Sequence, residues 1–212
     1  ACRRAYEQDV AQFLDPIFEK RYPEALFDWI GSQRPRIETG DLDVIGQPVD
    51  FLGINYYKTH EVSFDISQAP LKARSKPVSA PGWGLTEMGW GVNPSGLKEV
   101  LLDVMETYDN PRVYVTENGC AFPDAPDETG LVADWGRVNF LRGHLRAIHE
   151  AIEAGADVRG YLVWSLMDNF EWALGYGPRF GIIRVDYETL ERTPKRSALW
   201  YRDVMAQNAV DV

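Results

Sequence analysis

The 212 residues predict an α/β fold with parallel strands. Two observations carry this reading. Three short, nearly continuous apolar runs, "VDFLGINYY" (49–57), "RVYVTEN" (112–118) and "RGYLVWSLMDN" (159–169), have the composition of strands covered on both faces, as in parallel sheets. Amphipathic helical patterns lie between and after these runs, so the order is a helix followed by strand–helix three times.

The opening stretch "ACRRAYEQDVAQFLDPIFEKRYP" has no initiator Met and reads as the middle of a helix, which leads to the expectation of a fragment, one domain over residues 1–212. After the first strand, residues 58–92 form a long connection, and 119–135 form another. Loops beyond ~12–15 residues are usually functional or disordered. Trp83 and Trp90 in the first argue against plain disorder. The helix over 93–109 has Asn93 at the N-cap position and Pro94 at its first turn, with Leu97, Val100, Leu101 and Val104 on one face. The next helix runs from about Arg137 to a stop signal at Gly155. "FGIIRVDY", within the excursion 168–193, reads as part of a small hairpin-like pair, and a last helix opens with Pro194.

Composition narrows the function classes. Apolar residues make up 45% and the net charge is −10, with the acidic residues scattered as on a solvated surface. Such a chain repels phosphate, which disfavours nucleic acid and anionic membranes as partners. No run reaches the ~18 apolar residues of a membrane span, and no secretion signal opens the chain, so cytoplasm is the default compartment. Cys2 and Cys120 offer neither a disulfide framework nor metal spacing. His144 and His149 are not at the i, i+4 spacing of a zinc pair and read as surface residues of a helix. No metal or other cofactor is expected.

Each strand ends in polar and aromatic residues: Asn55, Tyr56 and Tyr57; Glu117 and Asn118; Trp164 through Asn169. Chemistry gathered at strand C-terminal ends, with long loops after them, marks the active face of a (β/α)8 barrel. A doubly wound sheet would place its site similarly, but no Gly-rich phosphate loop follows any strand. A whole barrel typically needs ~250 residues and eight strands. Only three strands are found, so the fold expected is the C-terminal part of a (β/α)8 TIM barrel, about its last three strand–helix units.

A Glu at a strand end is most often a solvated terminus. Around Glu117, however, Trp164, Trp172, Trp83, Trp90, Tyr57 and Phe180 all lie at strand ends or in the loops after them. Aromatic faces stack on the C–H faces of sugar rings, while carboxylates and amides bind hydroxyls, so a concave site of this composition suits a carbohydrate. Glu171 beside Trp172 is a natural bidentate acceptor for two sugar hydroxyls. For Tyr56 and Trp200 the core reading is preferred.

"VYVTENG" followed by "YLVWSLMDNFEWALGYGPRFGIIRVDY", with "DFLGINYY" before them, closely resembles the family 1 glycoside hydrolases, the β-glucosidase family. The similarity runs from the opening segment to "TPKRSALWYRDV", with the motifs in family order. It implies that Glu117 is the catalytic nucleophile and that Tyr57 hydrogen-bonds it, with Asn55 lining the same subsite. It implies that Trp164 is the platform under the glycone, that Glu171 and Trp172 bind its hydroxyls, and that Phe180 closes the wall beside them. Relatives taking 6-phosphosugars generally replace the position of Trp172 and carry a Ser–Lys–Tyr phosphate pocket. Here Trp172, Pro178 and Phe180 occupy that region, which implies a non-phosphorylated sugar. Leu174 in "EWALGY" stands where many relatives have Glu, which bears on the choice among glucose, galactose and fucose. Cys120 reads as a loop residue.

A retaining glycosidase needs a nucleophile and a general acid/base ~5–5.5 Å apart. In the family the acid/base lies in an "NEP" motif, which is absent from this sequence, and Glu87, Asp168 and Glu171 are not placed by any motif to substitute. The resemblance therefore implies a β-glucoside or oligosaccharide substrate and, as partner, the N-terminal part of the same barrel. The alternatives are an inactive half-barrel that self-associates through open edges, or a plain sugar-binding module.

Overall fold

The computed structural model describes residues 1–210. In chain order the elements are α1 (Cys2–Tyr6), a π-helical turn (Glu7–Ala11), α2 (Gln12–Phe18), α3 (Glu24–Ile30), α4 (Asp41–Ile45), β1 (Leu52–Asn55), β2 (Thr59–Phe64), β3 (Ala73–Val78), α5 (Pro94–Thr107), β4 (Val113–Asn118), α6 (Trp135–Glu153), β5 (Val158–Val163), β6 (Ile183–Val185), β7 (Arg192–Pro194) and α7 (Arg196–Gln207). They fall into two compact units.

One unit comprises Ala1–Asp50 and His60–Lys76. The expected opening helix is present but is interrupted by the π-helical turn. The connection 58–92 is not one long loop, because β2 and β3 pair within it as a two-stranded sheet. Arg4 lies over the rings of Trp29 and Phe64 at 5.5 and 5.9 Å.

The other unit comprises Phe51–Thr59 and the chain from Pro77 onward, and it holds the parallel sheet. The strand order is β1–β4–β5, and both pairings are parallel as expected. The helices that connect them, α5 and α6, pack on one face. Leu97, Leu101 and Val104 of α5 are buried, as are Val138, Leu141, Ile148 and Ala151 of α6 and Val113 and Val115 of β4. Val100, expected on the same stripe, is 37% exposed. A second core forms where Phe140 and Leu141 meet Trp200, Tyr201 and Val204 of α7, with Cys120 and Ile182 from the loops. Tyr56 and Trp200 are core residues, in agreement with the sequence.

The expectation of strands covered on both faces fails. Exposure alternates along β1, and Phe51 and Leu162 are each 51% exposed. Side chains that alternate across a strand need a layer on each side, and the helices supply only one. Around the open face, Phe51, Arg112, Tyr114, Thr116 and Leu162 line a hollow of ≈ 330 Å³.

Helix ends differ in detail. Asn93 stands at the N-cap of α5 without capping it, because its amide donates to Thr59 Oγ1 and its Oδ1 accepts from Ser95. Gly155, at φ 109°, ends α6, and the amide of Ala156 returns to Ala151 O, which suits a residue free to take the left-handed region. Pro194 does not open α7. It closes the antiparallel pair β6–β7, where a residue lacking an N–H is tolerated. His144 is fully buried in α6 and stacked on Phe140, not on the surface, whereas His149 is exposed as expected.

Candidate active site

The site forms where β1 and β4 end side by side. Their register opposes Asn55 to Glu117. The backbone amide of Tyr56 then donates to Glu117 O at 2.9 Å, which turns the chain so that Tyr57 points back at the carboxylate. Tyr57 Oη donates to Glu117 Oε2 at 2.6 Å. The Tyr57 hydroxyl is pushed well above the ordinary phenol range, first by burial, then by its hydrogen bond to Glu117 and the charges of Glu117 and Glu171. It therefore stays protonated and remains a donor. On the neighbouring position Thr116 Oγ1 donates to Asn55 Oδ1 at 2.8 Å.

Aromatic rings hold Tyr57 from behind. Trp90 meets it edge-on at 5.5 Å, and Phe180 does so at 6.4 Å while also packing on Trp90 at 6.0 Å. Phe180 is 1% exposed, so its ring supports Tyr57 from within the core. Lys58 lies over Trp90 at 5.2 Å.

Asn118, next to Glu117, was not singled out by the sequence, yet it joins all three strand ends. Its amide donates to Tyr56 O at 2.7 Å, its Oδ1 accepts from Tyr161 Oη at 2.8 Å, and its carbonyl accepts from the amide of Trp164 at 2.9 Å. Its complete burial is the signal of this role. Gly119 completes the motif for a steric reason: a Cβ there would sit 1.6 Å from Trp164 O. Trp164, half-buried at the end of β5, precedes a cis peptide to Ser165.

Glu171 is oriented by Asn169, whose amide donates to Glu171 Oε2 at 3.1 Å. Ser165 Oγ donates in turn to Asn169 Oδ1 at 3.0 Å. Trp172 follows with a positive φ of 44° and is 83% exposed. Asn55, Tyr57, Glu117 and Phe180 are thus brought together, Glu171 acts on Tyr57 through its charge, and Trp172 stands clear in solvent. Phe170, Leu174 and Tyr176 around it are exposed as well. Cys120 is fully buried and its thiol is pushed up to about 12, chiefly by burial, which leaves it unreactive. Among the described residues there is no cluster of three side chains able to hold a metal, and no helix is long and apolar enough to cross a membrane.

The model of glycosyl hydrolase family 1 matches residues 1–210. Beta-glucosidase A of Thermotoga maritima is 42% identical over 199 residues, covering 94% of this chain and 44% of the relative. A bifunctional beta-D-glucosidase/beta-D-fucosidase of Bifidobacterium breve is 44% identical over 219 residues, covering 93% of this chain and 46% of the relative. Among solved structures, the family 1 β-glucosidase from Thermotoga maritima superposes with a TM-score of 0.91 at 39% identity, over 99% of this chain and 47% of that one. Its complex with castanospermine gives 0.92 at 38% identity, over 100% and 47%. The chain thus spans about half the length of the relatives it matches, and its sheet and helices are those of a partial α/β barrel.

Proposed function

Since the chain belongs to glycosyl hydrolase family 1, we propose that it carries the nucleophile half of a retaining β-glucosidase and that its sheet is the C-terminal part of the barrel. The observation that carries this reading is the 2.6 Å hydrogen bond from Tyr57 to Glu117 at adjoining strand ends. With Oε2 held by Tyr57, Oε1 attacks the anomeric carbon and forms a glycosyl ester. A second carboxylic acid gives its proton to the departing glycosidic oxygen, then takes one from the water that releases the sugar and restores Glu117. That second acid lies outside these 212 residues, since no "NEP" motif is among them. Asn55, Glu171 and Trp164 bind the glycone. Trp172, exposed beside Glu171, adds its indole to the same glycone subsite. The substrate class is a non-phosphorylated β-glucoside or a related glycoside, with Leu174 bearing on the tolerance at the sugar's outer hydroxyls.

A second reading draws on the open sheet face. The exposure of Phe51 and Leu162 favours association, so a folded, self-associating and inactive half-barrel is the competing account. An aryl β-glucoside assay separates the two, run on the chain with and without the N-terminal portion of a family barrel. Activity that requires the added portion supports the proposal. Substantial turnover by the chain alone contradicts the claim that its acid/base is missing, and no turnover in either case favours the inactive half-barrel.

A further inference from the structure

A buried ionic network adjoins the site, and its three carboxylates are among the acidic residues that the composition suggests are solvated. Arg137 and Lys195 are completely buried, and so are the side chains of Asp134 and Asp168, with Asp124 at 3% and Arg179 at 18% exposure. The three cations and three carboxylates balance. Lys195 Nζ bridges Asp124 Oδ2 at 2.8 Å and Asp168 Oδ1 at 2.9 Å. Asp124 lies in the loop after β4, and Asp168 in the loop after β5. Arg137 makes a second tie: it donates to Asp124 at 3.0 Å, to Cys120 O at 3.3 Å, and to Asp134, which also caps Ser197.

The network closes around one residue of the site. Arg137 Nη2 donates to Arg179 O at 2.5 Å, and the amide of Gly181 donates to Asp168 Oδ1 at 3.0 Å. Phe180 is therefore pinned on both its flanks, and it packs on Tyr57 and Trp90. Lys195 contributes again through its own amide, which donates to Ile182 O at 2.9 Å.

We propose that Lys195 is a positioning residue for the Tyr57–Glu117 pair, acting through Asp168, the backbone on either side of Phe180, and the Phe180 ring. The geometry of the pair is then set by the joint between the two loops and the start of α7, and not by the strand ends alone. Its catalytic meaning rests on the glycosidase reading, but the coupling itself is a property of the fold.

The test uses the 212-residue chain labelled with fluorotryptophan, with the Trp90 fluorine resonance identified by Trp90→Phe. Removing Lys195 alone leaves a surplus of buried negative charge and risks unfolding. The double variant Lys195→Met, Asp124→Asn keeps the remaining charges balanced, and Asp124 Oδ1 has no hydrogen-bond partner among the described residues for the amide to displace. The expected result is a shifted and broadened Trp90 resonance while that of Trp29, in the other unit, is unchanged. An unchanged Trp90 resonance in a variant of lowered melting temperature overturns the proposal, since the network would then be only structural. Hydrogen exchange on the unmodified chain decides independently of whether the variant folds. The amides of Gly181 and Lys195 should exchange as one unit, and rates differing by more than about ten-fold contradict the coupling. Neither measurement involves a sugar, so failure of the glycosidase reading shows in the aryl glucoside assay alone.

Discussion

Tyr57 gives the site its orientation. A protonated phenol is held at 2.6 Å from one carboxylate oxygen, with Trp90 and Phe180 packed edge-on against its ring, and the proposed attack is left to the other oxygen. A hydrogen bond to a charged group contributes ~1.5–3 kcal/mol. Tyr57→Phe in the assembled barrel is therefore expected to lower kcat/KM on an aryl β-glucoside by about ten- to hundred-fold, with the melting temperature nearly unchanged. Steady-state kinetics beside a thermal melt checks both. At this scale the sequence was informative where chemistry follows from residue type and motif. Glu117, Tyr57 and Asn55 were singled out through the motifs that resemble the family, since a Glu at a strand end taken alone reads as a solvated terminus, and the structure places the three side by side. Two placements were not legible. Exposure depends on what packs nearby in space, so nothing local to "NFEW" or "PRFG" reveals that Trp172 is 83% exposed while Phe180 is 1% exposed.

The strand β4 and the helix α6 carry the clearest consequences at the scale of elements. Gly119 allows β4 to pass within contact of Trp164, and the position has no room for a side chain. Gly119→Ala must push the two strand ends apart, at a cost of ~3 kcal/mol, read as a fall in the denaturant midpoint with loss of sugar-analogue binding. In α6, His144 is neutral: burial holds its pKa down at about 4, below the ordinary 6.5. Between those values the unfolded chain takes up a proton that the folded chain refuses. Stability is thus full above pH 6.5 and falls as pH drops to about 4, by ~3 kcal/mol over the whole window. Urea titrations at several pH values should show this slope in the wild type and lose most of it in His144→Gln. The three parallel strands and the helices after them were readable from continuous apolar runs and the 3.6-residue period, whereas β2 and β3 were not. The burial of His144 and the idle cap at Asn93 were not, because each depends on a partner remote in sequence, such as Thr59 for Asn93.

At the scale of the whole molecule, the parallel sheet has helices on one side only, while relatives of about twice the length share its structure at TM-scores near 0.9. Phe51 and Leu162 face away from the helices, and a barrel interior is where such residues become covered. Replacing both with Thr is expected to reduce self-association of the chain alone and to weaken its assembly with an N-terminal barrel portion, measured by sedimentation velocity on each sample. The open face also explains why the sequence misled on burial: apolar runs look alike whether their second layer is present or belongs to residues outside the chain. The central claim, that Glu117 is the nucleophile of a retaining mechanism, is tested most directly by trapping. A 2-deoxy-2-fluoro β-glucoside with a leaving group that needs no proton forms the glycosyl ester but releases it slowly, because the fluorine opposes the positive charge of both transition states. With the chain assembled into an active barrel, peptide mass mapping should find one 2-fluoroglucosyl group, on Glu117. Label on another carboxylate, or an unmodified Glu117 in a preparation that turns over aryl glucosides, would contradict it.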